Sequence, residues 1–278
     1  MNITESPTRI PRLGEKTLIM GIVNTTPDSF SDGGRYNTVE QAVTHAKKLV
    51  GDGADILDIG GESTRPGSAS VSLEEELQRV IPVIKAIRNE IKEIPISIDT
   101  YKAEVAQQAI LAGADIINDI WGAKADPRMA NVAAEYQVPI ILMHNRQNKN
   151  YHHLINDMKA DLLESIDICK QAGVQDDAIW IDPGIGFAKT YEHNLEVMAK
   201  LEQFVAMGYP VLLGTSRKSF IGLALDLPVE ERLEGTLATV CYGVQKGCQV
   251  IRVHDVKETV RACEMMDKMM YWEGANHG

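Results

Sequence analysis

Residues 95–119 read Pro-Ile-Ser-Ile-Asp-Thr-Tyr-Lys-Ala-Glu-Val-Ala-Gln-Gln-Ala-Ile-Leu-Ala-Gly-Ala-Asp-Ile-Ile-Asn-Asp and contain the unit from which the fold can be predicted. Two short apolar runs, Pro95–Asp99 and Asp115–Asp119, enclose a longer amphipathic stretch. Nearly continuous apolar runs of this length are typical of parallel strands that are covered on both faces. The segment therefore predicts a strand, a helix and a second strand parallel to the first.

The same alternation runs through nearly the whole chain and predicts eight strands. They are Thr17–Asn24, Asp55–Gly60, Pro95–Asp99, Asp115–Asp119, Val138–His144, Ile179–Asp182, Val211–Gly214 and Gln249–Val253. Amphipathic stretches lie between them, and Thr38 with Gln41 and Ser72 with Glu75 have the spacing of capping boxes at helix starts.

Eight strand–helix units predict a (β/α)8 TIM barrel, a fold whose usual length is about 250 residues. We expect one domain at residues 17–278, preceded by an N-terminal extension at residues 1–16. A doubly wound open sheet is the alternative. It normally carries a glycine-rich phosphate turn, and neither G-x-G-x-x-G nor G-x-x-x-x-G-K-[ST] occurs here.

Composition narrows the class of protein. The chain has 278 residues, of which 44% are apolar and 24% charged, as in ordinary globular proteins. Its net charge of −11 disfavours nucleic acid as a partner, because a phosphate backbone needs a basic surface. Residues 1–16 are polar and contain no signal region, and the four cysteines form no C-x-x-C pair. These features predict a cytoplasmic protein without a membrane segment.

Polar side chains stand at the carboxyl end of every predicted strand. In a TIM barrel these ends meet at the face where the chemistry takes place. The residues are Asn24, Glu62, Thr64, Arg65, Asp99, Asn118, Asp119, His144, Asn145, Arg146, Asp182, Arg217, Lys218, Arg252 and His254. A single aspartate at such a position is typical of a helix N-cap, but eight polar strand ends together indicate a binding site.

These residues divide by hydrogen-bonding capacity. Asp99, Asn118 and Asp182 accept hydrogen bonds from the N–H groups of a heterocycle. The cations and donors, Arg65, Arg217, Lys218, Arg252 and His254, suit phosphate or carboxylate oxygens and predict a locally positive barrel mouth. A pocket with both groups would bind a nitrogen-rich ring that carries an anionic substituent.

The sequence lacks the motifs of two other classes of enzyme. No G-x-S-x-G elbow and no H-E-x-x-H motif occurs, which disfavours acyl-enzyme chemistry and tightly held zinc. A magnesium ion that is bound partly by substrate phosphate needs only one or two protein oxygens, and Asn24 offers one. The glycine-rich segments 25–35 and 61–67 are interpreted as lids, with plain surface loops as the alternative.

Seven motifs in order resemble those of the dihydropteroate synthase family, the sulfonamide-sensitive enzymes of folate biosynthesis. They begin at Asn24 (NTTPDSFSDGG), Asp58 (DIGGESTRPG), Ser97 (SIDT), Ile117 (INDI), Asp182 (DPGIGF), Gly214 (GTSRKS) and Arg252 (RVHDV). The resemblance covers residues 16 to 272. Thr25 departs from the small aliphatic residue expected in the first motif, at a position that touches no ligand.

The resemblance implies that 4-aminobenzoate condenses with (7,8-dihydropterin-6-yl)methyl diphosphate, with magnesium as cofactor. It implies pterin binding by Asp99, Asn118, Asp182 and Lys218, of which Asp99 and Lys218 would be catalytic. Further roles are diphosphate binding by Thr64, Arg252 and His254, aminobenzoate binding by Arg65, Pro66, Phe187 and Ser219, and magnesium binding by Asn24.

Two other functions remain open at this stage. One is another pterin-binding barrel, such as a methyltetrahydrofolate methyltransferase domain, and the other is a non-catalytic folate-sensing barrel. The resemblance also implies a homodimer formed through helices near the chain end. The residues Met265, Met266, Met269, Met270, Tyr271 and Trp272 offer an apolar face there.

Overall fold

The computed structural model describes residues 9–25, 35–62 and 70–272, with residues 35–38 described by their backbone alone. Within these ranges eight strands run parallel to one another. They are β1 (Leu18–Asn24), β2 (Ile56–Gly60), β3 (Ile96–Asp99), β4 (Ile116–Asp119), β5 (Ile140–Met143), β6 (Ile179–Asp182), β7 (Leu212–Leu213) and β8 (Val250–Val253).

The strands form a barrel. Consecutive strands pair from β1 to β6, β8 pairs with β1, and β7 pairs with β8. The remaining gap between β6 and β7 is spanned by the bridge between Ile181 and Val211, where the Ile181 N–H also donates to the Pro210 carbonyl at 2.8 Å. The predicted (β/α)8 architecture is therefore confirmed, and each predicted strand overlaps an observed one.

Helices follow the strands and cover the outside of the barrel. Those in the described residues are α1 (Arg35–Gly51), α2 (Leu73–Glu90), α3 (Ala103–Ala112), α4 (Met129–Tyr136), α5 (Leu154–Ala172), α6 (Tyr191–Ala199), α7 (Glu202–Val205), α8 (Ser219–Leu225), α9 (Leu233–Gln245) and α10 (Val256–Met270). None of these helices is long and apolar enough to cross a bilayer.

The two predicted helix starts have different outcomes. Ser72 caps α2 as predicted, since its side chain accepts a hydrogen bond from the Glu75 N–H. The prediction for Thr38 is wrong, because α1 begins three residues earlier, at Arg35. A capping-box spacing is satisfied by any Ser or Thr with Glu or Gln three residues on, so it also occurs inside helices.

Two apolar clusters stabilise the barrel. The larger lies between the strands and the surrounding helices. The smaller fills the barrel interior near the amino ends of the strands and consists of Leu18, Met20, Ile56, Ile116, Ile141, Trp180, Leu212 and Val250. Ile10 and Leu13 pack against this inner cluster and so cover the amino end of the barrel.

The inner cluster fixes which residues face the opposite end of the barrel. Side chains alternate between the faces of a strand, so the residue two positions after each member of the inner cluster also faces inward. These residues are Ile22, Asp58, Asn118, Met143, Asp182, Gly214 and Arg252. A mainly polar layer therefore lies directly above the apolar one, toward the carboxyl ends of the strands.

Candidate active site

The centre of the polar layer is the side chain of Arg252 on β8. Its Nε donates to Asp58 Oδ2 at 2.6 Å, and its Nη2 donates to Asp99 Oδ2 at 2.7 Å. The side chains of Asp58 and Asp99 are 0% and 5% exposed, so both carboxylates are almost free of solvent, whereas the Arg252 side chain is 20% exposed. Asn118 on β4 joins this group, with its Nδ2 at 3.3 Å from Asp58 Oδ2.

Asp182 and Lys218 form the other side of the site. A Cβ atom built on Gly214 would lie 3.8 Å from Lys218 Nζ and 3.9 Å from both Asp182 Oδ2 and Arg252 Cβ. The absence of a side chain at Gly214 thus leaves a space around which these three groups converge. The residues predicted to bind pterin, Asp99, Asn118, Asp182 and Lys218, all face the barrel interior or its mouth.

The turn after β6 holds Lys218 in place. Lys218 Nζ donates to the Ile185 carbonyl and lies 4.9 Å from the centroid of the Phe187 ring. Gly184 and Gly186 make the turn with φ of +67° and +87°. A Cβ on Gly184 would be 2.1 Å from the His144 carbonyl oxygen, and one on Gly186 would be 3.1 Å from the Lys218 stem, so glycine is required at both.

Burial shifts the pKa values of these groups. It raises the pKa of Asp99 to about 7 against the opposing effect of Arg252, and it also raises the pKa of Asp182. Burial lowers the pKa of Lys218 to about 8, although Asp182 opposes the shift. Burial acts to lower the pKa of Arg252 too, but Asp58 and Asp99 outweigh it and raise that pKa, so the guanidinium stays charged.

The charged groups at the centre of the described site include more carboxylates than cations. Three carboxylates, Asp58, Asp99 and Asp182, face two cations, Lys218 and Arg252, so this set carries one net negative charge when fully ionised. Arg65, which is predicted to contribute to a positive mouth, lies outside the described residues. Arg217 is paired, because its guanidinium binds Asp255 at 2.5 and 2.9 Å, and its side chain is 41% exposed.

Two buried side-chain oxygens in the described part of the chain have no hydrogen-bond partner, Asp99 Oδ1 and Ser97 Oγ. A buried polar atom without a partner is costly, at about 1–3 kcal/mol. Because Asp99 Oδ2 is already held by Arg252, the free Oδ1 is available to a ligand. Asp99 therefore combines a fixed orientation with an unused acceptor.

The remaining predicted residues lie around this centre or outside the described ranges. His254 follows β8, and its Nδ1 lies 2.9 Å from Ser216 Oγ. Phe187 is half-buried beside Lys218, and Ser219 is the exposed first residue of α8. Thr64, Arg65 and Pro66 fall outside the described residues.

Asn24 is the candidate metal ligand. It is the last residue of β1 and lies beside Gly60 of β2, at the carboxyl end of the barrel. In the part of the chain that the structure describes, no group of three or more His, Cys, Asp or Glu side chains is arranged to hold a metal ion. This donor set does not fit a metal bound by protein side chains alone, but one amide oxygen fits a magnesium ion bound mainly by a substrate's phosphates.

Asp58 is the site residue that the sequence analysis did not single out. It holds both Arg252 and Asn118, although it lies in the middle of β2 rather than at its end. The sequence did contain a sign of its role, because a carboxylate in the otherwise apolar strand Ile-Leu-Asp-Ile-Gly needs a buried partner. The partner itself is 194 residues away, at a separation that strand patterning does not predict.

The raised pKa of Asp99 predicts a specific pH dependence of stability. Asp99 has an ordinary pKa of 3.8 when unfolded and about 7 when folded, so the folded protein binds an extra proton between these values. This stabilising contribution is complete below pH 3.8 and is lost as the pH rises through about 7. Replacing Asp99 by Asn removes this proton-linked contribution to the free energy of unfolding.

The free energy of unfolding of Asp99→Asn relative to the wild type should therefore increase between about pH 4 and 7, by up to about 1.4 kcal/mol per pH unit, and level off above pH 7. Urea unfolding at a series of pH values measures this difference. Asp176→Asn is the matched control, because the pKa of Asp176 is lowered and its carboxylate stays ionised across this range. A constant difference for Asp99→Asn would contradict the assignment.

Comparison with known proteins agrees with this geometry. The family model described as "Pterin binding enzyme" matches residues 20–254. Dihydropteroate synthase of Bacillus subtilis (strain 168) is 62% identical over 264 residues, which cover 95% of this chain and 92% of the relative. The enzyme of Synechocystis sp. is 49% identical and covers 92% of this chain and 91% of its own length.

Solved structures agree with the sequence comparison. Dihydropteroate synthase of Clostridium difficile, crystallised in the presence of pteroic acid, superposes with a TM-score of 0.91 at 48% identity and covers 94% of this chain and 99% of that one. The Xanthomonas albilineans enzyme with 4-aminobenzoic acid gives a TM-score of 0.88 at 42% identity, and the match covers 92% of this chain and 94% of that one. With its barrel, its inward-facing polar layer and these relatives, the chain belongs to the dihydropteroate synthase family of pterin-binding enzymes and is a transferase.

Proposed function

We propose that this chain joins 4-aminobenzoate to (7,8-dihydropterin-6-yl)methyl diphosphate. The bond between the methylene carbon and the diphosphate oxygen breaks, and diphosphate leaves with the electron pair. The amine nitrogen then bonds to the same carbon and loses a proton, which gives 7,8-dihydropteroate. The observation that carries the proposal is the buried set of Asp99, Asn118 and Asp182 at the carboxyl ends of β3, β4 and β6, with Asp99 Oδ1 lacking a hydrogen-bond partner among the described residues.

The pterin ring fits this set by hydrogen-bonding type. Asp182 Oδ1 is held by the Gly184 N–H at 2.6 Å, so its Oδ2 is the atom that faces the space above Gly214. In the proposed complex, this carboxylate accepts from the 2-amino group and the adjacent ring N–H, and Lys218 donates to the 4-oxo and N5 side. Asn118 and Asp99 complete the ring contacts.

The charge balance supports a dissociative substitution. When the leaving group departs first, positive charge develops on the pterin, and ionised carboxylates that face the ring stabilise it. Asp99 is the carboxylate proposed to act most directly, because Arg252 fixes its position and leaves one oxygen free. The neutral aminobenzoate nitrogen is nucleophilic by itself, so no enzyme nucleophile and no strong general base are assigned.

Arg252 and His254 are proposed to hold the diphosphate together with Thr64. Among the described residues, Asp58 and Asp99 accept from Nε and Nη2 of Arg252, so Nη1 is proposed to donate to a diphosphate oxygen. Magnesium, when bound, would neutralise charge on the leaving diphosphate, with Asn24 as its protein oxygen. The aminobenzoate is proposed to lie against Phe187, Arg65, Pro66 and Ser219.

The reaction is tested by measuring diphosphate release from the dihydropterin diphosphate with and without 4-aminobenzoate. We expect release to depend on aminobenzoate and to match dihydropteroate formation one to one. A methyltetrahydrofolate methyltransferase or a folate-sensing barrel would release no diphosphate under either condition. Release that is unaffected by aminobenzoate would contradict the proposal as well.

The role of Asp182 is tested by Asp182→Asn. The amide keeps an oxygen for the Gly184 N–H but no longer accepts two hydrogen bonds from the pterin, so the pterin Kd should rise about 100-fold. Burial raises the pKa of Asp182, which means that its ionised form is disfavoured there, and the neutral amide should leave stability unchanged or improved. Calorimetric titration with a pterin and urea unfolding measure the two effects.

The control is Asp176→Asn, which changes an aspartate exposed outside the site. It should leave both pterin affinity and activity at the wild-type level. Wild-type pterin affinity in Asp182→Asn would refute the assigned contact.

The compartment is proposed to be the cytoplasm. All four cysteines, Cys169, Cys241, Cys248 and Cys263, are unpaired, and burial raises the pKa of each thiol. Free thiols of this kind are typical of a reducing compartment. The proposed partners are the two small-molecule substrates and a second copy of the chain.

The homodimer is proposed to form through α10. Met265, Met269, Tyr271 and Trp272 are 56%, 55%, 60% and 71% exposed, and Met270 is 40% exposed. Met266 differs from its neighbours because it packs against the barrel core and is not part of this face. Contiguous exposed apolar residues of this size are typical of interaction surfaces.

Sedimentation equilibrium tests the dimer. The wild type should have twice the mass of one chain, and the double variant Met265→Glu with Met269→Glu should have the mass of one. Leu111→Glu is the control, because Leu111 is 62% exposed on α3, a different helix, and should leave the dimer intact. A monomeric wild type at micromolar concentration would refute this proposal.

A further inference from the structure

Lys189 is a buried lysine that the proposed reaction does not use, and burial lowers its pKa to about 7. It follows the turn after β6 and is only 4% exposed. Its Nζ lies 2.9 Å from the Gly184 carbonyl oxygen, 3.0 Å from the Phe187 carbonyl oxygen and 3.1 Å from His144 Nδ1. An ammonium group has three N–H donors, so these three acceptors match its full capacity.

The neighbours of Lys189 support this pairing. Burial lowers the pKa of His144 to about 4, so its imidazole is neutral at physiological pH. His144 Nε2 lies 3.0 Å from Asp161 Oδ2, which is also bound by Arg146 Nε at 2.5 Å. A neutral imidazole that donates from Nε2 to Asp161 presents Nδ1 as an acceptor to Lys189. The contact therefore links the turn to α5 through Asp161.

The same turn is held from its other side by Lys218. The carbonyls of Gly184 and Phe187 point to Lys189, whereas the intervening carbonyl of Ile185 points to Lys218. Two further contacts fix the segment, since Asn194 Oδ1 accepts from the Gly186 N–H at 2.7 Å and the Tyr151 hydroxyl donates to the Ala188 carbonyl at 2.9 Å. The backbone from Gly184 to Ala188 is thus held by side chains at nearly every residue.

We propose that Lys189 is a positioning residue that fixes the Gly184–Phe187 turn and thereby places the Phe187 ring for 4-aminobenzoate. The inference rests on the proposed function, because it assigns the aminobenzoate to Phe187. Of the residues proposed to bind the pterin, Asp99 and Asn118 lie on strands apart from the turn, and Asp182 is fixed by the pairing of β6 with β5 as well as by the Gly184 N–H. Lys218 contacts the turn through the Ile185 carbonyl, whereas Lys189 binds the carbonyls of Gly184 and Phe187, the second of which belongs to the aminobenzoate residue itself. Loss of Lys189 should therefore weaken aminobenzoate binding far more than pterin binding.

The test is Lys189→Met, which keeps a side chain of similar length and removes the three hydrogen bonds. We expect the KM for 4-aminobenzoate to rise at least about 10-fold while the pterin Kd changes less than about 3-fold, since only the aminobenzoate side loses its positioned ring. Lys170→Met is the matched control, because it makes the same substitution at a lysine that is 45% exposed and paired with Asp176 at the surface. It should behave as the wild type.

A double-mutant cycle with Phe187→Leu separates positioning from general damage. If Lys189 acts through Phe187, the double variant should have nearly the aminobenzoate KM of Phe187→Leu alone. Equal changes in both substrates, no change in either, or fully additive effects would overturn the inference. A wild type that makes no dihydropteroate would refute the proposed function instead, so the two failures are distinguishable.

Tyr151→Phe keeps the inference testable if Lys189→Met does not fold. This variant removes only the hydroxyl that binds the Ala188 carbonyl at the other end of the segment. It should raise the aminobenzoate KM selectively, by a smaller factor of about 3. An unchanged aminobenzoate KM in Tyr151→Phe would then overturn the inference.

Discussion

The ion pairs between the Arg252 guanidinium and the carboxylates of Asp58 and Asp99 are the interaction around which the site is organised. A buried charge without a partner is destabilising by several kcal/mol, so each of the three groups requires the others. As a result, Arg252 and Asp99 are each held on one side only. Arg252 is held by two of its nitrogens and Asp99 by one of its oxygens, which leaves one atom on each for a ligand.

The barrel makes this arrangement possible through the period of its strands. Apolar side chains fill the amino half of the interior, and the next inward-facing positions carry the carboxylates, the amide and the guanidinium. The apolar layer excludes water from below, which strengthens the electrostatic interactions above it and produces the raised pKa of Asp99 and the lowered pKa of Lys218. The site is therefore a continuation of the core rather than an addition to it.

The turn after β6 connects the pterin residues on the strands, such as Asp182, with the proposed aminobenzoate residue Phe187. Its carbonyls are shared between Lys189 and Lys218, and its glycines allow a backbone that approaches His144 and the Lys218 stem closely. Rigid placement of loop residues costs conformational entropy, which the many side-chain contacts to this segment offset. Such rigidity is what a site needs when it must align two substrates.

The barrel, the capped start of α2, the polar strand ends and the family can be predicted from local periodicity and from motifs along the chain. Which charged side chains meet depends on the folded arrangement. Arg217 pairs with Asp255, Asp58 reaches Arg252 across 194 residues, and Met266 packs against the core while Met265 is exposed. The physical reason is that strand and helix patterns fix the face on which a side chain lies. Its partner depends on closure of the barrel, which brings β8 beside β1 and so leaves only β1 between β8 and β2.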